Sequence, residues 1–231
     1  KLEPSELYVF SYVSDKLLRN APALNSYLGK AAPEEIRFKI ENAIINGTGV
    51  GQPKGIMPSA ATVDVTKETG QAADSIVRQN VQKMWQRTLP MSRSRGVWLY
   101  DTSCSMDLAN LTLAVGTGGV PLMMPAGGLT GAPSETIHGR PAYATEYASA
   151  IGDNGDLIFA DFSGYALAIQ GGIESDMSIH LKFDYGQTAL RWCIYVAGEP
   201  WLNSAITPFS PTGSTTKTET LSTFTAIAAR A

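Results

Sequence analysis

Residues 22–56 decide the fold, and they read PALNSYLGKAAPEEIRFKIENAIIN followed by GTGVGQPKGI. Apolar side chains recur every fourth residue through the first part of this stretch: Leu24, Leu28, Ala32, Ile36, Ile40 and Ile44. This spacing predicts one long amphipathic helix that ends near Ile45 and measures about 33 Å at ~1.5 Å per residue. Pro33 lies inside the pattern and is expected either to kink the helix or to restart it. Gly47 is expected to end the helix in the left-handed conformation.

The segments that flank this helix are short. Residues 8–13 are aromatic and β-branched, which predicts a strand. Ser14 is expected to cap a short helix through Leu18, with Asp15 in its first turn. The glycine-rich stretch 47–55 follows the long helix and is typical of a loop.

Beyond residue 56 the pattern is mostly strand-like. Residues 73–88 are the exception and predict a helix, whose buried face would be Ile76, Val77, Val81, Met84 and Trp85. Strands are predicted at 97–100, 141–147, 157–162, 165–170, 177–183, 189–197 and 224–228. A Gly/Pro-rich loop covers 116–133 and a Ser/Thr-rich loop covers 210–223. Because helices and strands do not alternate in a βαβ rhythm, the sequence predicts an α+β protein.

The composition excludes several classes of protein. The chain has 231 residues, of which 44% are hydrophobic, so it can bury about 70% of its unfolded surface, and disorder throughout is excluded. A net charge of −3 argues against a nucleic-acid binder that depends on bulk positive charge. No run reaches the ~20 apolar residues of a membrane span. Cys104 and Cys193 are expected to be buried thiols, although a single bridge between them stays open.

The residues that could carry chemistry form no motif. The loop 47–55 follows a helix, whereas a dinucleotide-binding loop follows a strand, so phosphate binding is not predicted. His138 and His180 have no zinc-ligand spacing to each other or to the two cysteines. We expect His138 in a turn and His180 in a strand. A Ser–His–Asp triad stays open, because its members need not be close in sequence.

Two acidic positions are expected to have structural roles. Asp153-Asn154-Gly155-Asp156 has the wrong spacing for a calcium loop, so it is expected to form a tight turn between strands. Asp161 follows a short apolar run. We expect its side chain to cap or order the bend that leads into Tyr165.

A basic segment lies between Asp74 and Asp101. It contains no acidic residue and five basic ones, Arg78, Lys83, Arg87, Arg93 and Arg95. One interpretation is a solvated helix face. The other is a surface that contacts an acidic neighbouring subunit or nucleic acid.

Two blocks of sequence resemble the major capsid protein family of tailed bacteriophages, which has the Hong Kong 97-type fold. The first is ENAIINGTG (41–49) with QPKGI (52–56), which is similar to the end of the family's long spine helix and the loop after it. The second is GRP (139–141) followed by GDLIFADFSGY (155–165). The predicted helix 73–88, the strand 97–99 and the late strand 189–196 with its turn 198–200 follow in the family's order.

The resemblance implies two domains and a structural function. A peripheral domain would comprise 1–56, which holds the spine helix, and the returning strands 189–231. An axial domain, 57–188, would surround the symmetry axis of each hexamer or pentamer. The implied function is that of a major capsid protein of a phage or prophage, which self-assembles into an icosahedral DNA-containing shell and is not an enzyme. No catalytic, cofactor-binding or metal residue is implied.

The resemblance also implies partners and a location. The partners would be copies of the chain, together with scaffolding, protease and portal proteins. The DNA would be enclosed without sequence-specific binding, and no membrane would be involved. The protein would be made in the cytoplasm of the bacterial host and end in the virion capsid. Because the family has an arm and a long hairpin where this sequence has residues 1–13, we expect the sequence to be an N-terminally trimmed piece.

Two other functions stay open at this point. An encapsulin-like nanocompartment shell would share the fold, but its cargo groove would need an N-terminal helix that is missing here. An α+β hydrolase or ligand-binding domain would be expected to use His138, His180 or Asp161.

Overall fold

The computed structural model describes residues 2–113, 120–121, 124–125, 135–212 and 217–230. The chain divides into two compact units. Unit 1 comprises Lys1–Gly55 and Ala166–Glu199, and unit 2 comprises Ile56–Tyr165 and Pro200–Ala231.

The described elements follow one another along the chain as helices and strands. The helices are α1 (Asp15–Asn20), α2 (Pro22–Asn46), α3 (Arg78–Arg87) and α4 (Ser105–Asn110). The strands are β1 (Ser5–Ser14), β2 (Val63–Val65), β3 (Val97–Tyr100), β4 (Thr112–Leu113), β5 (Val120–Pro121), β6 (Met124–Pro125), β7 (Glu135–Ile137), β8 (Arg140–Ala144), β9 (Leu157–Ala160), β10 (Tyr165–Lys182), β11 (Gln187–Pro200) and β12 (Phe224–Ile227). None of the helices that the structure describes combines the length and apolar character needed to cross a membrane.

Unit 1 is a sheet with the long helix α2 on one face. Among the described strands the sheet has the order β1-β11-β10, and β1 runs antiparallel to β11 along its whole length. The side chains of a strand alternate between two faces, so one side of β1 and β11 meets the helix. The core on that side consists of Val13, Ala32, Ile36, Leu190, Trp192, Ile194 and Val196, with Leu7, Val9, Leu18, Leu24, Leu28 and Ile40 packed around them. The predicted helical stripe supplies the α2 side of this core, except for Ile44, which is not part of it.

The helix α2 continues through Pro33 as one element of 25 residues, so it does not restart there. Its end differs from the prediction at Gly47, which has φ −61° and ψ 138° rather than a left-handed conformation. Glycine is needed here for space: a Cβ at Gly47 would lie 2.2 Å from the carbonyl oxygen of Pro53 and 2.5 Å from that of Ala43. The loop folds back so closely that the amide of Gly55 donates to the carbonyl of Gly47 at 2.7 Å.

Unit 2 is built on a mixed sheet. In the described residues its order is β2-β12-β9-β3-β8-β7-β6, with β12 parallel to β2 and β3 parallel to β8. The other neighbours are antiparallel. The strands β9 and β12 are buried at every residue. The core contains Trp98, Phe159 and Ile227, and the helix α3 contributes Val81 and Met84.

The predicted elements of unit 2 are confirmed in type but not always in extent. The helix predicted from 73 begins only at Arg78, because Val77 before it is extended, with φ −115° and ψ 156°. The amide of Ile76 donates to the carboxylate of Asp107 at 3.0 Å instead of to a helical carbonyl. The strands predicted at 97–100 and 157–162 are β3 and β9, and the strand predicted at 224–228 is β12. The predicted runs 165–170 and 177–183 belong to a single strand, β10.

The compact units differ from the predicted segments at two places. β10 pairs with β11, which places residues 166–188 in unit 1 rather than with the middle of the chain. β12 lies between β2 and β9, which places residues 200–231 in unit 2. Both differences come from long-range strand pairing, which periodicity along the chain does not reveal.

Candidate assembly surfaces

The two histidines have structural surroundings. His138 lies in the turn between β7 and β8 with φ 51°, and its ring stacks on Trp85 at a centroid distance of 5.0 Å. Burial, and then the charge of Arg93, lower the pKa of His138. His180 is exposed on β10. In the part of the chain that the structure describes, neither imidazole ring is hydrogen-bonded to a serine or a carboxylate, so no Ser–His–Asp triad is assembled there.

The two cysteines are buried free thiols, as the sequence predicts. Cys104 belongs to unit 2, and burial raises its pKa to about 12. Cys193 belongs to unit 1, and burial followed by a hydrogen bond to Glu6 raises its pKa. Among the described residues, no group of three or more His, Cys, Asp or Glu is placed to hold a metal ion.

Asp161 orders the bend after β9, as predicted. Its Oδ1 accepts hydrogen bonds from the amide and the hydroxyl of Ser163, at 3.1 and 2.6 Å. Its Oδ2 accepts a hydrogen bond from the guanidinium of Arg95 at 3.1 Å. Burial alone would raise the pKa of Asp161, but these bonds and one from Ser92 lower it below its ordinary value. Since all acceptors of this carboxylate are used within unit 2, Asp161 is a structural residue.

The predicted turn 153–156 ends in a buried ion pair. Asp156 and Arg230 are both fully buried, and the guanidinium of Arg230 donates to both carboxylate oxygens of Asp156. One of these oxygens also accepts the amide of Gly152 at 3.0 Å, and the amide of Arg230 donates to the carbonyl of Gly152 at 2.7 Å. The pair thus ties the segment after β12 to the turn before β9. Sequence reasoning missed it, because nothing near either residue marks a partner 74 positions away.

Three of the five residues of the basic segment form ion pairs with acidic residues of unit 2. Lys83 pairs with Glu68 at 2.6 Å, Arg87 with Glu219 at 3.2 Å and Arg95 with Asp161 at 3.1 Å. Arg93 lies over the ring of Trp85, 5.5 Å from its centroid. The structure therefore favours a set of local ion pairs over a surface that contacts external anions.

The glycine loop after α2 forms a second feature of unit 1. The amide of Lys54 donates to the carbonyl of Gly198 at 2.7 Å, which anchors the loop to β11. Beside it lies an open polar pocket of about 380 Å³, whose walls include Thr48, Gln52 and Glu199. Val50 is 84% exposed at the tip of this loop. A phosphate cradle on a helix N-terminus is not formed, because the loop follows the C-terminus of α2.

The face of the unit 1 sheet that points away from α2 is unusually apolar. Tyr8, Phe10 and Tyr12 alternate with the inward residues of β1 and are 46–54% exposed. Tyr195 of β11 lies opposite Glu6 on the same face and is 39% exposed. An antiparallel sheet with one solvated face normally carries polar residues there. We call this surface, defined by Tyr8, Phe10, Tyr12 and Tyr195, the outer face. The sequence signal was the run 8–13, in which every residue except Ser11 is aromatic or β-branched.

The outer face contains a groove beside β10. The groove has a volume of about 210 Å³ and is lined by Phe10, Met177, Leu181, Ala189 and the ion pair of Asp176 with Arg191. Met177 and Leu181 are 66% and 63% exposed. We call it the sheet groove. The predicted Gly/Pro-rich loop 116–133 lies outside the described residues, apart from β5 and β6.

Comparisons with known proteins agree on one family. The model of the phage capsid family matches residues 1–210. No curated protein matches the chain in sequence. The chain is similar in structure to the capsid of an empty GTA particle computed with C5 symmetry, with 16% identity, a TM-score of 0.74, and coverage of 100% of this chain and 74% of that one.

Two further solved structures are similar to this chain. A solved structure from Mycobacterium phage Bobi has 18% identity and a TM-score of 0.60, covering 98% of this chain and 72% of that chain. The holo-SrpI encapsulin complex of Synechococcus elongatus PCC 7942 has 10% identity and a TM-score of 0.55, covering 97% and 73%. The α+β architecture is therefore the Hong Kong 97-type capsid fold, and the chain belongs to the phage capsid family as a structural major capsid protein.

Proposed function

We propose that this protein assembles with copies of itself into hexamers and pentamers, which close into an icosahedral shell around DNA. The observation that carries the proposal is the apolar outer face of unit 1 in a chain of the phage capsid family. Several large apolar side chains exposed on one face are typical of a protein–protein interface. A shell needs such surfaces on every subunit, because its contacts must close into rings.

The two compact units support an assignment of the two capsid domains. We assign unit 1, with the long helix α2, to the peripheral domain and unit 2 to the axial domain around each symmetry axis. The peripheral domain would then include β10 and β11 and exclude 200–231. Support comes from the separate cores of the two units.

The ion pairs of unit 2 support a shell that binds the enclosed DNA only weakly. The net charge is −3, and Lys83, Arg87 and Arg95 are already paired with carboxylates of the same unit. These three cations already have carboxylate partners, which weakens the phosphate contacts that they could make with DNA. We infer that the enclosed DNA is held without sequence-specific contacts.

A structural, non-enzymatic function follows from the family, and we extend it to the assembly route. We infer that the protein is made in the cytoplasm of a bacterial host and reaches the virion capsid with the help of scaffolding, protease and portal proteins. No residue is proposed for catalysis, and no cofactor or metal is proposed.

Electron microscopy of the full natural protein, expressed with its scaffolding partner, tests the proposal. We expect closed shells whose capsomers have fivefold and sixfold symmetry. Protein that stays monomeric in every condition, with the partner present, would contradict it. Particles produced in the natural host also separate the phage function from the encapsulin alternative. Nuclease-resistant DNA inside them supports the first, and an enclosed protein cargo without DNA supports the second.

A further inference from the structure

The turn of the β7–β8 hairpin in unit 2 has an unfavourable backbone geometry at His138. The two strands are joined by His138 and Gly139 alone, with φ 51° and 70°, and Ile137 pairs directly with Arg140. Such a turn, with positive φ at both positions, favours Asn-Gly. A positive φ at a residue with a Cβ costs free energy, which the contacts of the His138 side chain have to offset.

The imidazole ring of His138 lies flat against Trp85 of α3. The ring centroids are 5.0 Å apart and the planes differ by 15°. The indole of Trp85 is itself stacked on the buried Trp98 at 6.4 Å, so it is a fixed support. Ring pairs at these distances attract each other. The residues of α3 about one turn before Trp85, Val81 and Gln82, carry no charge.

A proton on His138 would add a positive charge where others already lie. The guanidinium of Arg93 is 5.5 Å from the centroid of the Trp85 indole. Arg140, just after the turn, donates from Nε to the carbonyl of Gly96 at 2.8 Å. An imidazolium is attracted to an indole face, but here it would share that face's ring with the guanidinium. Burial against the indole, and then the charge of Arg93, lower the pKa of His138.

The acidic groups of the neighbouring strands do not offset this repulsion. The carboxylate of Asp161 is paired with Arg95, and that of Glu135 accepts a hydrogen bond from the hydroxyl of Tyr100. Within the part of the chain that the structure describes, no carboxylate is hydrogen-bonded to the imidazole of His138. The stack therefore favours the neutral ring.

We propose that His138 makes the turn of the β7–β8 hairpin an acid-sensitive latch on α3. The neutral imidazole holds the turn against Trp85, and a proton on the imidazole releases it. Protons can reach the ring, because one of its faces is covered by the indole while the residue stays exposed to solvent. Trp98 holds β7 independently, since its Nε1 donates to the carbonyl of Ile137 at 3.0 Å, so the release is confined to the turn. The latch concerns unit 2 of a single chain and does not depend on the proposed assembly.

The direction of the pH dependence follows from the lowered pKa. A histidine whose pKa is lowered in the closed state stabilises that state fully above the ordinary value of 6.5. The contribution is lost as the pH falls through the lowered pKa. We therefore expect the turn to be closed at pH 7.5 and to open more often at pH 4.5.

Hydrogen–deuterium exchange of dissociated subunits of the full natural protein at pH 7.5 and pH 4.5 tests the latch. The rates are corrected for the intrinsic pH dependence of amide exchange. We expect peptides that cover 135–144 to exchange ~3-fold or more faster at pH 4.5, while β9 and β12 stay protected at both pH values. The variant His138→Asn keeps the turn, because Asn-Gly is its preferred pair, and removes the titration. Its corrected rates over 135–144 should be the same at both pH values.

His180→Asn is the matched control, because His180 is the second of the two histidines and lies exposed on β10 of unit 1. It should keep the wild-type acceleration. Arg93→Gln leaves the turn sequence intact and removes the neighbouring cation, so its acceleration should be smaller than that of wild type. An acceleration as large as wild type in either His138→Asn or Arg93→Gln overturns the inference. Failure of the latch leaves the proposed function intact, and failure of shell formation leaves the latch intact.

Discussion

Units 1 and 2 both pack a helix on a sheet, but the strands of the two sheets differ in how much of their second face is buried. In unit 2 the central strands β9 and β12 are buried at every residue. In unit 1 the strand β1 buries one side against α2 and leaves Tyr8, Phe10 and Tyr12 half-exposed on the other. Unit 2 therefore completes its core within one chain. Unit 1 covers one face of its sheet with α2 and leaves aromatic side chains exposed on the other.

The largest expected effect concerns the buried ion pair of unit 2. Arg230→Met removes the guanidinium and leaves the carboxylate of Asp156 buried without a countercharge. We expect the free energy of unfolding of unit 2 to fall by about 3–5 kcal/mol. Urea denaturation combined with hydrogen–deuterium exchange of β9 and β12 measures it. Arg37→Met, on an exposed arginine paired with Glu41 one turn away, is the control and should cost about 0.5 kcal/mol. A loss below 1 kcal/mol for Arg230→Met would show that this pair does not secure unit 2.

The next largest effect is expected from a substitution in α2, which forms one side of the unit 1 core. Ile36 of α2 is 1% exposed and packs in the core with Trp192 and Ile194. Ile36→Ala is expected to cost about 2–5 kcal/mol, because it removes buried methyl groups and leaves a cavity. Hydrogen exchange should accelerate in β1, α2 and β11 while β9 and β12 stay protected. Tyr27→Ala on the same helix is the exposed control. Equal acceleration in both units would mean that they unfold as one cooperative body.

A smaller effect depends on pH and comes from Asp161. The ordinary pKa of an aspartate is 3.8, and the pKa of Asp161 in the folded protein is lower. The charged carboxylate therefore stabilises the folded state at any pH above 3.8. This contribution is lost as the pH falls through the lowered pKa of the folded state. Asp161→Asn keeps the shape but weakens the bonds to Arg95 and Ser163, and we expect a cost of about 1–2 kcal/mol at pH 7. Thermal melts should show the difference from wild type shrinking below pH ~4. A difference that is constant from pH 7 to 2 would argue against a charged Asp161.

The smallest effect is expected on the outer face. Phe10 lies opposite Arg191 and touches the ring of Tyr8 edge-on, with centroids 5.2 Å apart. The cross-strand pair of Phe10 with Arg191 contributes roughly 0.2–1 kcal/mol, so Phe10→Ser should lower the stability of the dissociated subunit by about that much. Val9→Ser, its inward neighbour, is the comparison and should cost clearly more. Equal losses for the two variants in chemical denaturation would remove the distinction between the faces of β1.

The sequence predicts best those features that depend on neighbours along the chain. The four-residue spacing of the apolar side chains identified α2, and the serine that follows Asp161 explains the predicted bend. Short apolar runs in the sequence also predicted strands of unit 2, such as β9 and β12. These features need only local periodicity and local hydrogen bonds.

Features that depend on distant residues were not predictable in the same way. The partner of Asp156 is Arg230, which lies far away in the sequence. Residues 166–188 belong to unit 1 because β10 pairs with β11. Gly47 also misled local reasoning, because the space it leaves is needed by Pro53 in the returning loop rather than by a left-handed turn. The aromatic residues of β1 predicted a strand, but only the position of α2 shows which of them face outward.

The insertion of β12 between β2 and β9, locked by Arg230, has a consequence for biosynthesis. Translation is directional, and unit 2 lacks an inner strand of its sheet until residues 224–230 have left the ribosome. A prematurely terminated polypeptide therefore exposes the unpaired edges of β2 and β9, which makes it prone to aggregation and a substrate for proteases. We expect chains that end before β12 to be degraded in the cell rather than to fold.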